Sequence, residues 1–158
     1  MLSRLIEWWA DLYGDSKYLS AFLLFLHLGG ILLAGGFALA EDRAAVLLLR
    51  KDQPDFRREL PLIESVHVWV LGGLAVVAVS GLLMMLADLH TFLPSLLFWA
   101  KMILIAALLV NGRVRMRAEH LLRDGVTSRR ALLGRTSRIS VALWFLVLLA
   151  GALLPTIS

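Results

Sequence analysis

Tyr18 to Ala40, YLSAFLLFLHLGGILLAGGFALA, runs for 23 residues without a formal charge and holds one imidazole, that of His27. At 1.5 Å per residue such a helix reaches about 35 Å, enough to cross the roughly 30 Å hydrocarbon core of a bilayer. A ring nitrogen placed there must find a partner, because unsatisfied polar groups are costly where no water reaches them.

Three more apolar stretches follow, so the chain reads as a single domain, 1–158, with spans at about 18–40, 66–87, 95–111 and 139–155. The composition agrees: 59% of the 158 residues are hydrophobic and 18% are charged, with a mean hydropathy of +0.80. A soluble domain of this size needs more polar surface. The expected fold is all-α, an integral membrane up-down four-helix bundle, because short connections alternate with longer basic ones. No two-residue alternation competes with the helical reading. Met1 to Lys17 carries charges at Arg4, Glu7, Asp11, Asp15 and Lys17 between apolar and aromatic residues. It reads as a short N-terminal interfacial helix rather than a signal peptide. The absence of cysteine removes disulfides, iron–sulfur clusters and thiolate ligands.

Helix limits are read from the chain's punctuation. The first helix continues past Glu41-Asp42-Arg43 to about Leu49 and breaks near Pro54, and Pro61 sits where the next begins. The third continues past its span to Arg123 and stops at Asp124-Gly125, a C-terminal cap. The segment TSRRALLGRTSR is taken as a basic loop, and Pro155 as the end of the fourth span.

The net charge of +4 sits mainly between spans. Arg43, Arg50, Lys51, Arg57 and Arg58 fall between the first and second. Arg113, Arg115, Arg117, Arg123, Arg129, Arg130, Arg135 and Arg138 fall between the third and fourth. Both groups lie on one face, which places them in the cytoplasm and both termini outside it; a bacterial inner membrane with periplasmic termini is the simplest setting. Because topology accounts for these charges, and no aromatic platform accompanies them, nucleic-acid binding is not expected.

Depth selects which polar groups can meet. His27 lies about nine residues into its span and Lys101 about six into the third, both counted from the outer face, a difference of only about 5 Å. His67 enters from the cytoplasmic side, on the order of 10 Å deeper than His27, which disfavours a haem held by both histidines. His27, Gly30, Ala34 and Ala38 form one stripe of a helix, which permits close approach of a neighbouring helix or of a flat ligand. Gly73, Val77, Ser80 and Gly81 make a similar stripe on the second span. Plainer roles stay open beside these. His27 can be a packing histidine that donates to a backbone carbonyl or a serine, Lys101 can snorkel to the headgroups, and the methionines can fill gaps in a core.

His27 followed by Gly35-Gly36, together with Lys101 in the third-span segment Phe98-Trp-Ala-Lys-Met-Ile-Leu-Ile, resembles the HemJ/CopD-like group of small four-helix membrane proteins. HemJ-type proteins are protoporphyrinogen IX oxidases in which a first-helix histidine and a third-helix lysine are linked to haem binding and activity. The resemblance implies haem b with His27 as metal ligand and Lys101 as both a cofactor-binding and a catalytic residue; the small-residue stripe of the first span would then set Gly30 and Ala34 beside the cofactor. Arg138 echoes an arginine before the family's fourth span, but Ile139, Ser140 and Val141 stand where asparagine, glutamate and proline are expected.

The leading expectation is a haem b-binding inner-membrane protein in redox chemistry or tetrapyrrole oxidation, with a quinone or other electron acceptor as partner. A copper-handling membrane protein of CopD type is the alternative, since imidazole and thioether suit copper(I), and His27, Met84, Met85, His90 and Met102 all lie toward the outer face. A third reading is a non-catalytic accessory subunit of a larger membrane complex, or a homo-oligomer in the lipid bilayer.

Overall fold

The computed structural model describes residues 1–51, 55, 58–59 and 66–157, giving only the backbone of Leu2 and of 155–157. The helix break read at Pro54 and the start read at Pro61 lie outside the described residues, as does Arg57. All regular structure among the described residues is helical: α1 (Leu2–Asp15), α2 (Lys17–Leu49), α3 (His67–Ala87), α4 (Leu89–Phe92), α5 (Leu96–Arg123), a 3₁₀ turn (Thr127–Arg129) and α6 (Arg130–Ile157). Four of these, α2, α3, α5 and the helix ending the chain, are long and apolar enough to cross a membrane.

Each boundary has a local cause. Ser16 caps α2, its hydroxyl accepting from the Leu19 N–H at 3.3 Å, and Ser95 caps α5 in the same way through Phe98. Such caps satisfy donors that the first helical turn leaves open. At the far end of α5, Gly125 adopts φ +90°, while Val126 N–H bonds to the Leu121 carbonyl and Gly125 N–H to that of Leu122. This is a Schellman stop, at the glycine marked for it in the sequence. The other end of the supposed basic loop differs from expectation. RALLGRTSR is the first part of α6, because nothing in it interrupts helical bonding. Backbone helix also continues past Pro155, since a proline in a last turn removes a single hydrogen bond.

The principal pairings make two hairpins, α2 with α3 and α5 with α6, joined where α2 meets α6. Glycine governs the first pairing. A Cβ on Gly73 would stand 2.7 Å from the Ala34 nitrogen and 2.9 Å from the Gly30 oxygen, and one on Gly30 would stand 2.9 Å from Val77. The two backbones therefore touch, a contact that only hydrogen side chains permit. In the middle of the molecule Ala34, Ala38, Val70, Leu108 and Trp144 form a buried cluster drawing on all four long helices. Nearer the Arg-rich ends, Ala45, Leu48, Ala118, Leu122 and Leu133 form a second.

Between 11% and 33% of each apolar helical window is buried within the chain. Phe25, Leu32, Ile103 and Phe145 are among the large side chains more than half exposed. So much outward apolar surface is untenable in water. The pattern is that of a multi-pass membrane protein. Helix α1 docks on α3, where the Trp9 indole donates to the Leu83 carbonyl at 2.9 Å; Leu5, Trp8 and Leu12 remain exposed along its other apolar stripe.

Candidate functional site

Two polar constellations occupy opposite halves of the molecule. In the half bearing the termini, His27 projects from α2 toward α3. Its Nδ1 lies 3.1 Å from Ser80 Oγ, and the ring rests where a Cβ on Gly81 would come within 3.0 Å of Cε1. The Ser80 hydroxyl already donates to the Val76 carbonyl at 2.6 Å, so its oxygen accepts from His27 Nδ1–H. The Val77 carbonyl, a second acceptor, also faces the imidazole. A ring that donates through Nδ1 is the tautomer whose Nε2 lone pair is unused. The imidazole is therefore both oriented and left with a donor atom, as a metal-ligating histidine requires. Donation to a serine was also the packing alternative for this residue, and one contact serves both roles.

Lys101 lies on the other hairpin, its Nζ 3.4 Å from where a Cβ on Gly151 of α6 would sit. The α2–α6 register sets its height. Leu49 meets Gly134 and Gly35 meets Trp144; continuing eight residues past Gly35 brings His27 level with about residue 152. Lys101 is thus at the height of His27 and within its electrostatic reach, with no direct contact between them among the described residues.

Gly30 and Ala34 take the neighbouring-helix option of their stripe. Gly73, Val76 and Val77 of α3 fill the space beside them, and a flat ligand on that stripe would have to displace the helix. His67 is far from His27. Ser80, the partner of His27, lies thirteen residues along α3 from His67, about 20 Å at helical rise, which widens the separation expected from depth counting. Met84, Met85 and Met102 are half-buried, as gap-filling thioethers are, and His90 is exposed in α4. Among the described residues, no group of three or more His, Asp or Glu side chains converges as a metal site. A haem would not call for such a group, because a single side-chain nitrogen would be enough to hold its iron. A concavity of about 360 Å³ lines the outer side of α2 at Gly29, Leu32, Leu33, Gly36, Phe37 and Ala40, and neither His27 nor Lys101 borders it.

The second constellation was not anticipated. Arg115 of α5, counted from the sequence among the arginines between the third and fourth spans that set topology, is buried with an 8% exposed side chain and touches three carboxylates. Its NH1 donates to Glu41 Oε2 at 3.0 Å, its Nε stands 3.0 Å from Asp42 Oδ1, and its NH2 stands 2.8 Å from Glu119 Oε1. The contact to Glu41 is a directed hydrogen bond; the other two are ion pairs by proximity. His67 Nδ1 approaches the same Glu41 oxygen at 3.7 Å, and Ser137 and Ser140 of α6 face Asp42. All four long helices thus meet at one guanidinium and its carboxylates.

A sequence signal for this cluster existed. Ala34, Ala38, Glu41, Ala45 and Leu48 follow one another at helical steps of three and four, and so do Arg115, Ala118 and Leu122. The charges sit inside buried stripes. No protein-family model matches this chain, nor does any curated protein or solved structure.

Proposed function

We propose that this chain is a haem b-binding, four-helix integral membrane protein of the HemJ/CopD-like type, acting in redox chemistry or tetrapyrrole oxidation. The observation that carries the reading is the imidazole of His27, fixed by Ser80 through Nδ1 and leaving Nε2 free at membrane depth. The donor set fits a haem: the neutral imidazole of His27 would hold the iron through Nε2, and the hydrogen bond from Nδ1 to Ser80 would strengthen that hold. When bound, the iron porphyrin supplies one-electron chemistry, with a quinone or comparable carrier as acceptor.

The chain's own residues have separate tasks. Ser80 holds the tautomer and aim of His27, and Gly81 lets the ring lie close to α3. Lys101 serves as a second donor if neutral or as a counter-charge to a propionate if protonated, and in an oxidase the family resemblance gives it the catalytic role. Gly30 and Ala34 contribute through helix packing, which sets where His27 stands. In this reading the arginine-rich ends face the cytoplasm of a bacterial cell, the termini face the periplasm, and α1 lies at headgroup level on Leu5, Trp8 and Leu12.

The test is the absorption spectrum of detergent-purified protein, oxidised and dithionite-reduced, with haem quantified as its pyridine haemochrome. Wild type is expected to show a Soret band with sharp reduced bands, and His27→Ala to lose bound haem while remaining monodisperse. A haem-to-protein ratio unchanged by the substitution would remove His27 as ligand. A colourless protein that takes up no added haem would remove the function.

A further inference from the structure

The arginine-rich half holds a cavity that neither constellation uses. It measures about 320 Å³ and is lined by Leu49, Arg130, Ala131, Gly134, Arg135 and Arg138. Its shape follows from the sequence. Gly134 has no side chain, so α2 comes close enough that a Cβ there would meet Leu49 Cδ1 at 3.3 Å. Arg130 forms one wall, fixed because its NH2 donates to the carbonyls of Leu49 and Lys51 at the end of α2. Arg135 and Arg138 are exposed, and neither has a carboxylate partner among the described residues. The cavity therefore presents guanidinium groups, the side chains best suited to grip a phosphate by paired hydrogen bonds.

What distinguishes its ligand is the surface leading away from it. Arg135 and Arg138 begin an outward face of α6 that continues at helical spacing through Ile139, Ala142, Phe145 and Leu149, all exposed. Ile139 is 50%, Phe145 61% and Leu149 55% exposed. Cations at the head of an apolar stripe match a molecule with an anionic head and a hydrocarbon tail. A free anion would use the arginines alone, and a polyanionic macromolecule would have no use for the stripe.

We infer that this cavity is a binding site for the headgroup of an anionic glycerophospholipid, the phosphodiester held by Arg135 and Arg138 and an acyl chain lying along Ile139, Phe145 and Leu149. Basic pockets at the cytoplasmic ends of membrane helices recognise lipid headgroups in this manner. The assignment is independent of haem: it rests on a different helix pair and the opposite half of the molecule.

The experiment is native mass spectrometry of the full chain, released from nanodiscs containing phosphatidylglycerol and phosphatidylcholine with identical acyl chains. Wild type is expected to retain phosphatidylglycerol selectively, and Arg135→Ala/Arg138→Ala to reduce that retention at least about tenfold. The control removes two exposed arginines from α5, Arg113→Ala/Arg117→Ala, and is expected to retain lipid as wild type does. If the first pair does not purify as a folded protein, Arg135→Gln/Arg138→Gln replaces it with the same expectation. Equal loss in both pairs would reduce the site to general surface charge and overturn it. So would equal retention of the two lipids. Displacement of phosphatidylglycerol by millimolar inorganic phosphate, with phosphate adducts in its place, would reassign the cavity to a free anion.

Discussion

The two polar constellations solve the same physical problem in opposite ways. In the half bearing the termini, single polar groups are spaced apart. His27 is tied to one serine hydroxyl on a neighbouring helix, and Lys101 lies level with it on the other hairpin without touching it. In the arginine-rich half, Arg115 is surrounded by Glu41, Asp42 and Glu119 within 3.0 Å. Three carboxylates drawn onto one guanidinium engage all of its charge inside the protein and tie together the helices that carry them. A sparse group satisfied through one atom keeps another available. The sparse arrangement therefore suits chemistry and the dense one suits holding helices together.

Breaking the Arg115 cluster has the largest expected effect. Arg115→Ala leaves three carboxylates without their common partner inside the protein, a change that costs about 3–5 kcal/mol when a buried pair is halved. Thermal unfolding in detergent is the measurement, with Arg117→Ala, exposed and two residues away, expected to be near neutral. A loss at Arg115 as small as that at Arg117 would mean the cluster is solvated, and the contrast between the halves would vanish.

Gly73→Ala comes next. Its methyl would stand 2.7 Å from the Ala34 nitrogen, a backbone atom that cannot move aside without moving α2. Overpacking of this kind costs about 1–3 kcal/mol. It is also expected to shift His27 from Ser80 and so to lower haem content, measured on the same sample. Gly72→Ala, which meets nothing within 4 Å, should do neither. If the two behave alike, close backbone contact between α2 and α3 does not position the histidine.

Ser80→Ala has the smallest effect on stability, about 1 kcal/mol for one hydrogen bond, and sharpens the comparison instead. The imidazole loses the partner that selects its tautomer. Haem affinity is expected to weaken, and the midpoint potential in a redox titration to move, while the melting temperature barely changes. An unaltered potential with full occupancy would show that Ser80 has no hold on the ligand.

The residues explain why some of this was legible beforehand. Tyr18–Ala40 can only be a helix of membrane length, and Gly125 follows α5 where a helix needs a residue at positive φ. Matched depth of His27 and Lys101 was countable along each helix, because rise per residue is fixed. Arg115 was hidden because its neighbours in sequence, Arg113 and Arg117, are exposed, and a run of arginines after a span suggests topology. Its burial shows only when Ala118 and Leu122 are placed on the same stripe. The start of α6 was hidden for a similar reason, since TSRR reads as a loop while the following ALLGRTSR has no proline and only one glycine, which a helix interior tolerates.

Local rules, then, determined the helices: apolar length, capping serines and glycine stops act within a few residues, so the sequence carries them directly. Which atoms meet was decided only by tertiary structure. Gly30 faces Gly73 rather than a ligand, Ser80 lies fifty-three residues from the histidine it orients, and Arg115 lies seventy-four from Glu41. Those pairings depend on how far two helices slide and rotate against each other, which is set by the fit of all their side chains together.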